Sequence, residues 1–430
     1  MRRFTTGIET GDLTIWDSVV AADGTATCAA STVNPRSGTY SMRVQRTDNT
    51  PDEVGVGTNY GGQISQHNDG TTYGAFIEAS STTNEMWVRC YMRFTTLSGV
   101  NLSTQLDLIY FSDDAITTTV ASLQMQGAGS RLRFVDPAGT VTSIFTPSTG
   151  VYYKVMIHLK KTASNAGDWD VSFYNEDTRA TNAANGSWTG FGTTDVGWVF
   201  FGLFPATGKG AGAVDFHFDD IAINCNRGNI AKHATEPRPG RVVQVIVPTG
   251  EGGTIDFLPS TGTDNALTID EYPAGAIDTA DYNINPTGTT AVKDLLTVAN
   301  YAGTANGVVQ AVQVYCYVAD GIGSDGLGFI GGLQDSGANV QVPVEPWPGS
   351  GGASDPETLN GVCIGGTGAT VDTVWTNTEF DATQIMYKRD AVPATELKRV
   401  FAAFGEVEDQ VPITSLPHNP PLTRSTLIRR

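Results

Sequence analysis

A pair of adjacent carboxylates is the first feature of this sequence that suggests chemistry. Asp219 and Asp220 lie within the apolar, strand-forming run Val214–Asn224. Because Ca2+ prefers carboxylate and carbonyl oxygens, the pair predicts a structural calcium site. The alternative is that one aspartate caps the strand end or bonds neighbouring backbone groups, since the sequence names no further ligand beside it.

Aromatic side chains suggest a second kind of site, a platform on which sugar rings stack. The candidates are Trp87, Tyr91, Trp169 and Trp188, and the last lies in the turn-like run Asn185–Gly190. The alternative is that these rings are core residues, because aromatic side chains bury large apolar areas in β-sandwiches. We therefore predict a host-surface glycan as a partner, and these aromatic residues are the basis of that prediction.

The sequence contains none of the common motifs of catalytic sites. It contains no Gly-x-Ser-x-Gly, no His-Glu-x-x-His and no Cys-x-x-Cys, and its carboxylates fall in turn-like segments without a partner across a sugar. The five cysteines are far apart in the sequence. We interpret those within apolar strands as small, buried apolar residues. We expect no enzyme, no disulfide and no cofactor besides the structural Ca2+.

The amino-acid composition argues against some classes of binding partner. The 430 residues carry a net charge of -19, only 17% of them are charged, and 49 are glycine. Both halves are acidic, which disfavours a nucleic-acid partner because phosphate binding needs a basic face. Met1–Thr10 lacks the apolar region of a secretory signal, and no apolar run reaches about 18 residues. We expect synthesis in a host cytoplasm and no membrane insertion.

Hydrophobic periodicity predicts strands throughout. Glu85–Phe94 alternates apolar and polar residues with period two, as a strand with one buried face does. Trp198–Phe204 is apolar on both faces and predicts a central strand. Val308–Val318 predicts the central strand of the second half, with Tyr315 and Tyr317 on its outward face. Many short strands separated by turn signals predict an all-β protein built of sandwiches.

The chain divides near residue 230. A stretch containing Pro237 and Pro239 can be neither core strand nor helix, because proline donates no backbone hydrogen bond. We therefore predict two β-sandwich domains joined by a short Pro-containing linker, followed by an extended C-terminal arm. The predicted segments are 1–228, 229–240, 241–410 and 411–430. Within the third segment, Arg399–Glu406 is predicted as a strand in preference to a helix.

The first half resembles a known fold family. Gly7–Asp12, Pro35–Val44 and the closing run Phe218–Ile223 are similar to the laminin-G or concanavalin-A-like jelly roll. The resemblance implies that the closing strand pairs beside the N-terminal strand. Such domains occur in lectins, in modules attached to glycosidases and in bacteriophage virion proteins, so the resemblance implies a fold more than a function.

The second half resembles a module of tailed-phage virion proteins. The matching runs, in order, are Pro259–Leu267, Ile269–Pro273, Lys293–Asp294 and Ala311–Val314. The module is structural and has no assigned catalysis. The resemblance implies a bacteriophage virion protein: a capsid or tail decoration protein, or a tail-tip or adhesion component for host attachment. The alternatives are a lectin-like carbohydrate-binding module and, less favoured, a glycoside hydrolase.

The C-terminal 20 residues predict an assembly arm. The segment is rich in proline and carries basic residues on an acidic protein, so it is expected to be extended and held by a neighbour. Its predicted partners are other virion proteins and copies of the chain itself. The residues of the arm that we single out are Pro420, Pro421, Arg424, Arg429 and Arg430.

Overall fold

A computed structural model provides the coordinates. It describes residues 2–11, 13, 16, 18–20, 22–23, 26–46, 63–67, 84–97, 105–113, 119–126, 130–163, 165–189, 196–207, 213–226, 241–269, 280–286, 291–299, 308–322, 329–334, 340–341, 357–364, 375–389 and 397–410. All structural statements below refer to these residues.

The first half of the chain contributes sixteen strands, which occupy most of its described residues. They are β1 (Arg2–Thr6), β2 (Ser18–Val20), β3 (Ala22–Asp23), β4 (Ala26–Ser31), β5 (Ser41–Arg46), β6 (Gln63–His67), β7 (Glu85–Thr96), β8 (Gln105–Ser112), β9 (Thr119–Gln126), β10 (Arg131–Val135), β11 (Val141–Phe145), β12 (Tyr152–Ala163), β13 (Ala166–Asn175), β14 (Thr181–Thr189), β15 (Trp198–Thr207) and β16 (Val214–Asn226).

These strands form two antiparallel sheets packed face to face. The nine-stranded sheet has the order β14-β13-β12-β7-β16-β5-β4-β3, with β1 also paired to β16. The seven-stranded sheet has the order β11-β10-β9-β8-β15-β6-β2. Rings from the two sheets meet between them: Phe218 contacts Phe201 with 5.6 Å between ring centroids, and Trp169 contacts Phe134 at 4.8 Å. The first half is thus a β-sandwich.

The second half contributes twelve strands and two short helices. They are β17 (Arg241–Ile246), β18 (Pro248–Ile255), β19 (Leu258–Pro259), α1 (Asn265–Thr268), β20 (Asn283–Ile284), β21 (Val292–Val298), β22 (Val308–Ile322), β23 (Phe329–Gln334), β24 (Val340–Gln341), β25 (Glu357–Ile364), β26 (Trp375–Thr376), α2 (Asn377–Asp381), β27 (Gln384–Arg389) and β28 (Leu397–Gln410).

This half is a second sandwich. One sheet has the order β19-β20-β28-β22-β25, with β17 and β26 on its flanks, and the other has the order β18-β21-β27-β23-β24. Val314 and Cys316 of the first sheet share one apolar cluster with Leu296 and Ile385 of the second. Within the described part of the chain, no helix is long and apolar enough to cross a membrane.

The strand predictions are confirmed. The predicted all-β sandwich class is what the structure shows, and the predicted central strands β15 and β22 each pair on both sides. The run predicted as a strand near residue 400 is β28, not a helix. The closing strand β16 pairs antiparallel with the N-terminal strand β1, with Thr6 opposite Ile221.

Other sequence predictions fall on parts of the chain that are not described. The linker at 229–240 and the arm at 411–430, with Pro420, Pro421, Arg424, Arg429 and Arg430, lie outside the described residues. Among the described strands, pairing stays within 2–226 and within 241–410. The domain boundaries themselves stay a prediction.

Candidate functional site

Strand β16 organises the polar groups of the first half. It lies between β5 and β7 in the nine-stranded sheet, and its side chains alternate between the two faces. Phe216 and Phe218 point into the sandwich core, where both are fully buried. Asp215, His217 and Asp219 therefore point to the opposite, outer face of the sheet. That face carries most of the chemistry-bearing residues discussed below.

The carboxylate pair sits at a bulge in this strand. The pairing register with β7 shifts between Asp219 and Ala222, and Asp220 has a left-handed backbone with φ of 46°. An extra residue at a bulge re-aims the side chains around it. Here it lets two consecutive carboxyl groups reach the same loop, which precedes β5.

The side chains of the two aspartates accept hydrogen bonds from N–H and O–H groups of that loop. Asp219 Oδ2 accepts from the backbone N–H of Arg36 at 2.6 Å and of Ser37 at 3.4 Å. Asp220 accepts from Arg36 Nη1 at 2.5 Å and from Ser37 Oγ at 2.8 Å. We call these four residues the aspartate clamp. It joins segments that are more than 180 positions apart in sequence.

These contacts correct the calcium hypothesis for Asp219 and Asp220. The oxygens that would bind an ion already accept N–H and O–H groups, and the cation beside them is the Arg36 guanidinium. Burial, followed by the charge of its neighbour Asp220, raises the pKa of Asp219 well above its ordinary value. Among the described residues no group of three or more His, Cys, Asp or Glu side chains is placed to hold a metal ion. The alternative interpretation, bonding to neighbouring backbone, is the one observed.

A second carboxylate holds the other end of the same loop. Glu9 accepts from the backbone N–H of Thr39 at 2.8 Å and of Tyr40 at 3.3 Å, and burial raises its pKa to about 8. Gly38 has φ of 57°, and a Cβ added there would lie 2.1 Å from Glu9 Cδ. Glycine is therefore required at this position both for its backbone conformation and for the approach of the carboxyl group.

A buried ion pair links the two halves of the chain. Arg89 Nη1 donates to Glu408 Oε1 at 3.1 Å, and neither side chain is exposed. Arg89 Nε and Nη2 also donate to the Asp220 carbonyl oxygen at 3.3 Å. The same guanidinium therefore ties β7, the bulge of β16 and β28 together. A buried arginine needs such a set of acceptors because an unpaired buried charge is strongly destabilising.

Aromatic residues also lie in this contact between the two halves. Their positions show that one sequence prediction was wrong. Tyr315 and Tyr317, which were expected on an outward face, are buried in one cluster with core residues of the first half. Tyr315 stacks on Phe404 at 5.0 Å and donates its hydroxyl hydrogen to Glu406 Oε2 at 3.2 Å. Glu406 is fully buried, and its burial raises its pKa to about 7. The outward face of β22 is thus the surface that the first half covers.

The predicted glycan platform is not exposed. Trp188, Trp169 and Tyr91 keep only 3%, 2% and 2% of their surface exposed, so three of the four aromatic candidates cannot stack on a sugar. Tyr91 is covered by the Arg36 guanidinium, whose Cζ lies 3.4 Å from the ring centroid. The sequence prediction for these three residues was wrong because Trp169 and Trp188 point into the sandwich core, while Tyr91 is covered on the outer face.

Cross-strand glycines explain the buried tryptophans. Trp188 lies in strand β14, not in a turn, directly opposite Gly167, and Gly186 lies directly opposite Trp169. A Cβ added to Gly167 would be 2.1 Å from Trp188 Cζ2, and one added to Gly186 would be 2.9 Å from the Trp169 ring. Each indole therefore lies over the bare backbone of the neighbouring strand, as aromatic residues do over strand glycines.

Trp87 is the one aromatic candidate that keeps a partly exposed ring. It stacks on His158, with 3.6 Å between centroids and 4° between planes. His158 is held in turn by Glu85 Oε2 at 3.0 Å and by Asp170 Oδ2 at 3.3 Å. The imidazole covers one face of the indole, so only its remaining surface is open to a ligand.

Comparisons with known proteins identify no family. No protein-family model matches this sequence, and no curated protein matches it. Among solved structures, "Cellulose induced protein, Cip1" is 18% identical, with 51% of this chain and 96% of that chain covered and a TM-score of 0.33. The alginate lyase PA1167 from Pseudomonas aeruginosa is 10% identical, with 43% and 82% covered and a TM-score of 0.30.

A third structural neighbour covers most of both chains. The CBM22-1-CBM22-2 tandem domain of Xyn10C from Paenibacillus barcinonensis is 9% identical, with 95% of this chain and 98% of that chain covered and a TM-score of 0.24. Similarities of this size identify neither fold nor function. Both must rest on the strands and contacts described above.

Proposed function

We propose that this chain is a structural protein of a tailed-phage virion, a capsid or tail decoration protein or a tail-tip component, without catalytic activity. The observation that carries the proposal is the buried contact between its halves. Arg89 and Glu408 are both fully buried and pair across it, beside Tyr315 and Glu406. Two sandwiches fixed to each other in this way make a rigid block suited to assembly. The resemblance of the second half to a virion module supports the same proposal.

In this proposal the C-terminal arm provides assembly contacts. Its basic residues Arg424, Arg429 and Arg430 complement the acidic surface of a neighbouring copy, since the whole chain carries a net charge of -19. Deleting 411–430 should abolish incorporation into particles while both sandwiches stay folded. If the truncated protein enters particles normally, the arm is not required for assembly.

The proposal is tested on particles banded by density from a lysate of the phage that encodes this chain. An antibody raised against the purified chain should detect it in the banded particles and label them in electron micrographs. Detection only in the soluble fraction, with none in the particles, would overturn the virion assignment.

The proposal also includes display of a glycan-binding surface by the first half. With three of the four aromatic candidates buried, Trp87 is the candidate whose ring keeps surface for such a site.

A further inference from the structure

The two sides of the first sandwich end in edge strands of very different length. On one side the end strands are β3 and β2, with two and three residues. On the other side they are β14 and β11, with nine and five residues, and these two lie next to each other. Within the described part of the chain, β14 pairs with β13 alone. The N–H and C=O groups along its other side can therefore pair with a further strand.

The edges of the second sandwich are protected by contrast. Strands β19, β24 and β26 have two residues each. Strands β17 and β18 each contain a charged residue and a break in pairing register. Strand β25 lies against β1 of the first half. Short length, charge and irregular pairing are devices by which proteins prevent strand addition, and β14 has none of them.

Strand β14 is also uncharged, in a chain whose net charge is -19. The neighbouring edge strand β11 has no charged residue either. Alternate residues of β14 are exposed and have small or short polar side chains; they are Thr181, Ala183, Asn185, Ser187 and Thr189. Two copies of an acidic protein repel each other where their charged surfaces meet. The uncharged edge formed by β14 and β11 is a place where they can approach closely.

Between these two edge strands the core of the sandwich is only partly covered. Ala184 of β14 and Ile144 and Phe145 of β11 pack against the core cluster but keep part of their surface exposed. Val141, at the start of β11, is 48% exposed. A partner that adds a strand to β14 would therefore bury apolar surface as well as form backbone hydrogen bonds.

The sequence of the C-terminal arm fits this edge less well than a second β14 does. An added strand must donate backbone N–H groups along its length, and the four prolines within 411–430 cannot. The proline-free run at 422–430 carries Arg424, Arg429 and Arg430, for which β14 offers no acidic partner. A second copy of β14 has neither proline nor charge.

We propose that β14 pairs antiparallel with β14 of a second copy of this chain, about a two-fold axis at Asn185, so that the two nine-stranded sheets become continuous. In this register Asn185 lies opposite Asn185 of the second copy, Ala183 opposite Ser187, and Thr181 opposite Thr189. No charged or bulky side chain then meets its like on the exposed face. The pairing goes beyond the proposed function, because it concerns the free chain in solution and uses no part of the arm.

The mass of the full chain in solution tests the pairing. Size-exclusion chromatography with light scattering should give twice the mass of one chain. The double variant Ala183→Lys with Ser187→Lys places like charges opposite each other, and it should weaken the dimer by at least about tenfold. The control is Thr95→Lys with Thr162→Lys, which adds the same two charges at exposed positions of β7 and β12, strands inside the same sheet. A monomeric full chain, or equal weakening by both variants, would overturn the proposal.

A cross-link tests the register without a change of charge. In the proposed pairing the two Cα atoms of residue 185 lie about 4.5–5.5 Å apart, within the range that a disulfide spans. Under mild oxidation Asn185→Cys should form a covalent dimer on a non-reducing gel, while Thr95→Cys should stay monomeric. The described native cysteines are buried and do not compete. No covalent dimer from Asn185→Cys, or an equal yield from Thr95→Cys, would overturn the pairing.

These outcomes are separable from that of the virion proposal. A cross-linked dimer of a chain that is absent from particles would contradict the virion proposal alone. A chain that enters particles but is monomeric in solution and forms no cross-link would contradict the β14 pairing alone.

Discussion

The aspartate clamp and Arg93 lie on the same outer face of the nine-stranded sheet, yet their polar groups are bonded differently. At Asp219 and Asp220 the carboxylate oxygens accept from backbone, hydroxyl and guanidinium donors. Among the described residues, His217 Nε2 and Arg93 Nε are buried atoms without a hydrogen-bond partner. The hydrogen bonds of the clamp therefore fix the loop before β5, whereas Arg93 adds no such cross-link among the described residues.

The surroundings of the clamp also differ from those of Arg93. Arg89, next to the clamp, is buried against Glu408 of the second half. Arg93, four residues later on the same strand, has no such partner among the described residues.

Glu408→Ala should destabilise the protein by about 3–5 kcal/mol, because it leaves the Arg89 guanidinium buried without its carboxylate. Urea unfolding of the full chain measures the loss. The double variant Arg89→Met with Glu408→Leu should recover most of it, since a buried pair can be replaced by apolar groups. A loss below about 1 kcal/mol for Glu408→Ala would show that the pair does not hold the halves together.

Gly38→Ala should destabilise by about 1–3 kcal/mol more than Gly139→Ala, because the added methyl group meets the Glu9 carboxyl. Gly139 is the matched control. Its φ is 78°, also left-handed, but a Cβ there meets nothing within 4 Å. The control should lose only about 1–2 kcal/mol from backbone strain. Equal losses in the two variants would mean that the loop before β5 is not fixed by Glu9.

Stability should fall as the pH rises from about 4.5 to 8. Glu9 and Glu406 have folded-state pKa values of about 8 and about 7, above their ordinary value of 4.5. In this window the native protein binds more protons than the unfolded chain, so raising the pH favours unfolding, by at most about 1.4 kcal/mol per unit for each proton. Urea midpoints measured across the window check this. Glu9→Gln and Glu406→Gln should each flatten the slope, and unchanged slopes would contradict the assignment.

His217 should stay neutral down to about pH 5. Its pKa is lowered to about 4, chiefly by burial; the charge of Asp215 opposes this shift, and those of Arg43 and Arg93 add to it. The proton NMR signal of its Cε1–H should not shift between pH 8 and 5.5. Because its folded pKa lies below 6.5, its contribution to stability is present above pH 6.5 and is lost progressively as the pH falls from about 6.5 to about 4. Titration near pH 6.5 would mean that the imidazole is not buried.

The sequence predicts the faces of the strands well, for a local reason. Period-two alternation depends only on neighbouring residues, so Phe216 and Phe218 can be assigned to the core and His217 to the other face without a structure. The pairing of β16 with β1 followed from the resemblance to a jelly roll. These features need no knowledge of which distant strand covers which face.

The sequence could not predict which residues cover the outer face of the nine-stranded sheet. Arg89 and Glu408 are 319 positions apart, and no sequence pattern shows that they meet. The burial of Trp188 depends on its being opposite Gly167, which is a matter of strand register. The placement of Arg93 beside His217 likewise follows from register, because β7 and β16 must align first.

The most direct test compares Arg89→Gln with Arg93→Gln in urea unfolding of the full chain. Both substitutions remove one arginine from the outer face of β7, four residues apart. The account predicts a loss of at least about 3 kcal/mol for Arg89→Gln, whose buried carboxylate partner is left unpaired. For Arg93→Gln it predicts a change within about 0.5 kcal/mol. Similar losses in both variants would contradict the central claim that the buried pair of Arg89 with Glu408, and not Arg93, joins this face to the second half.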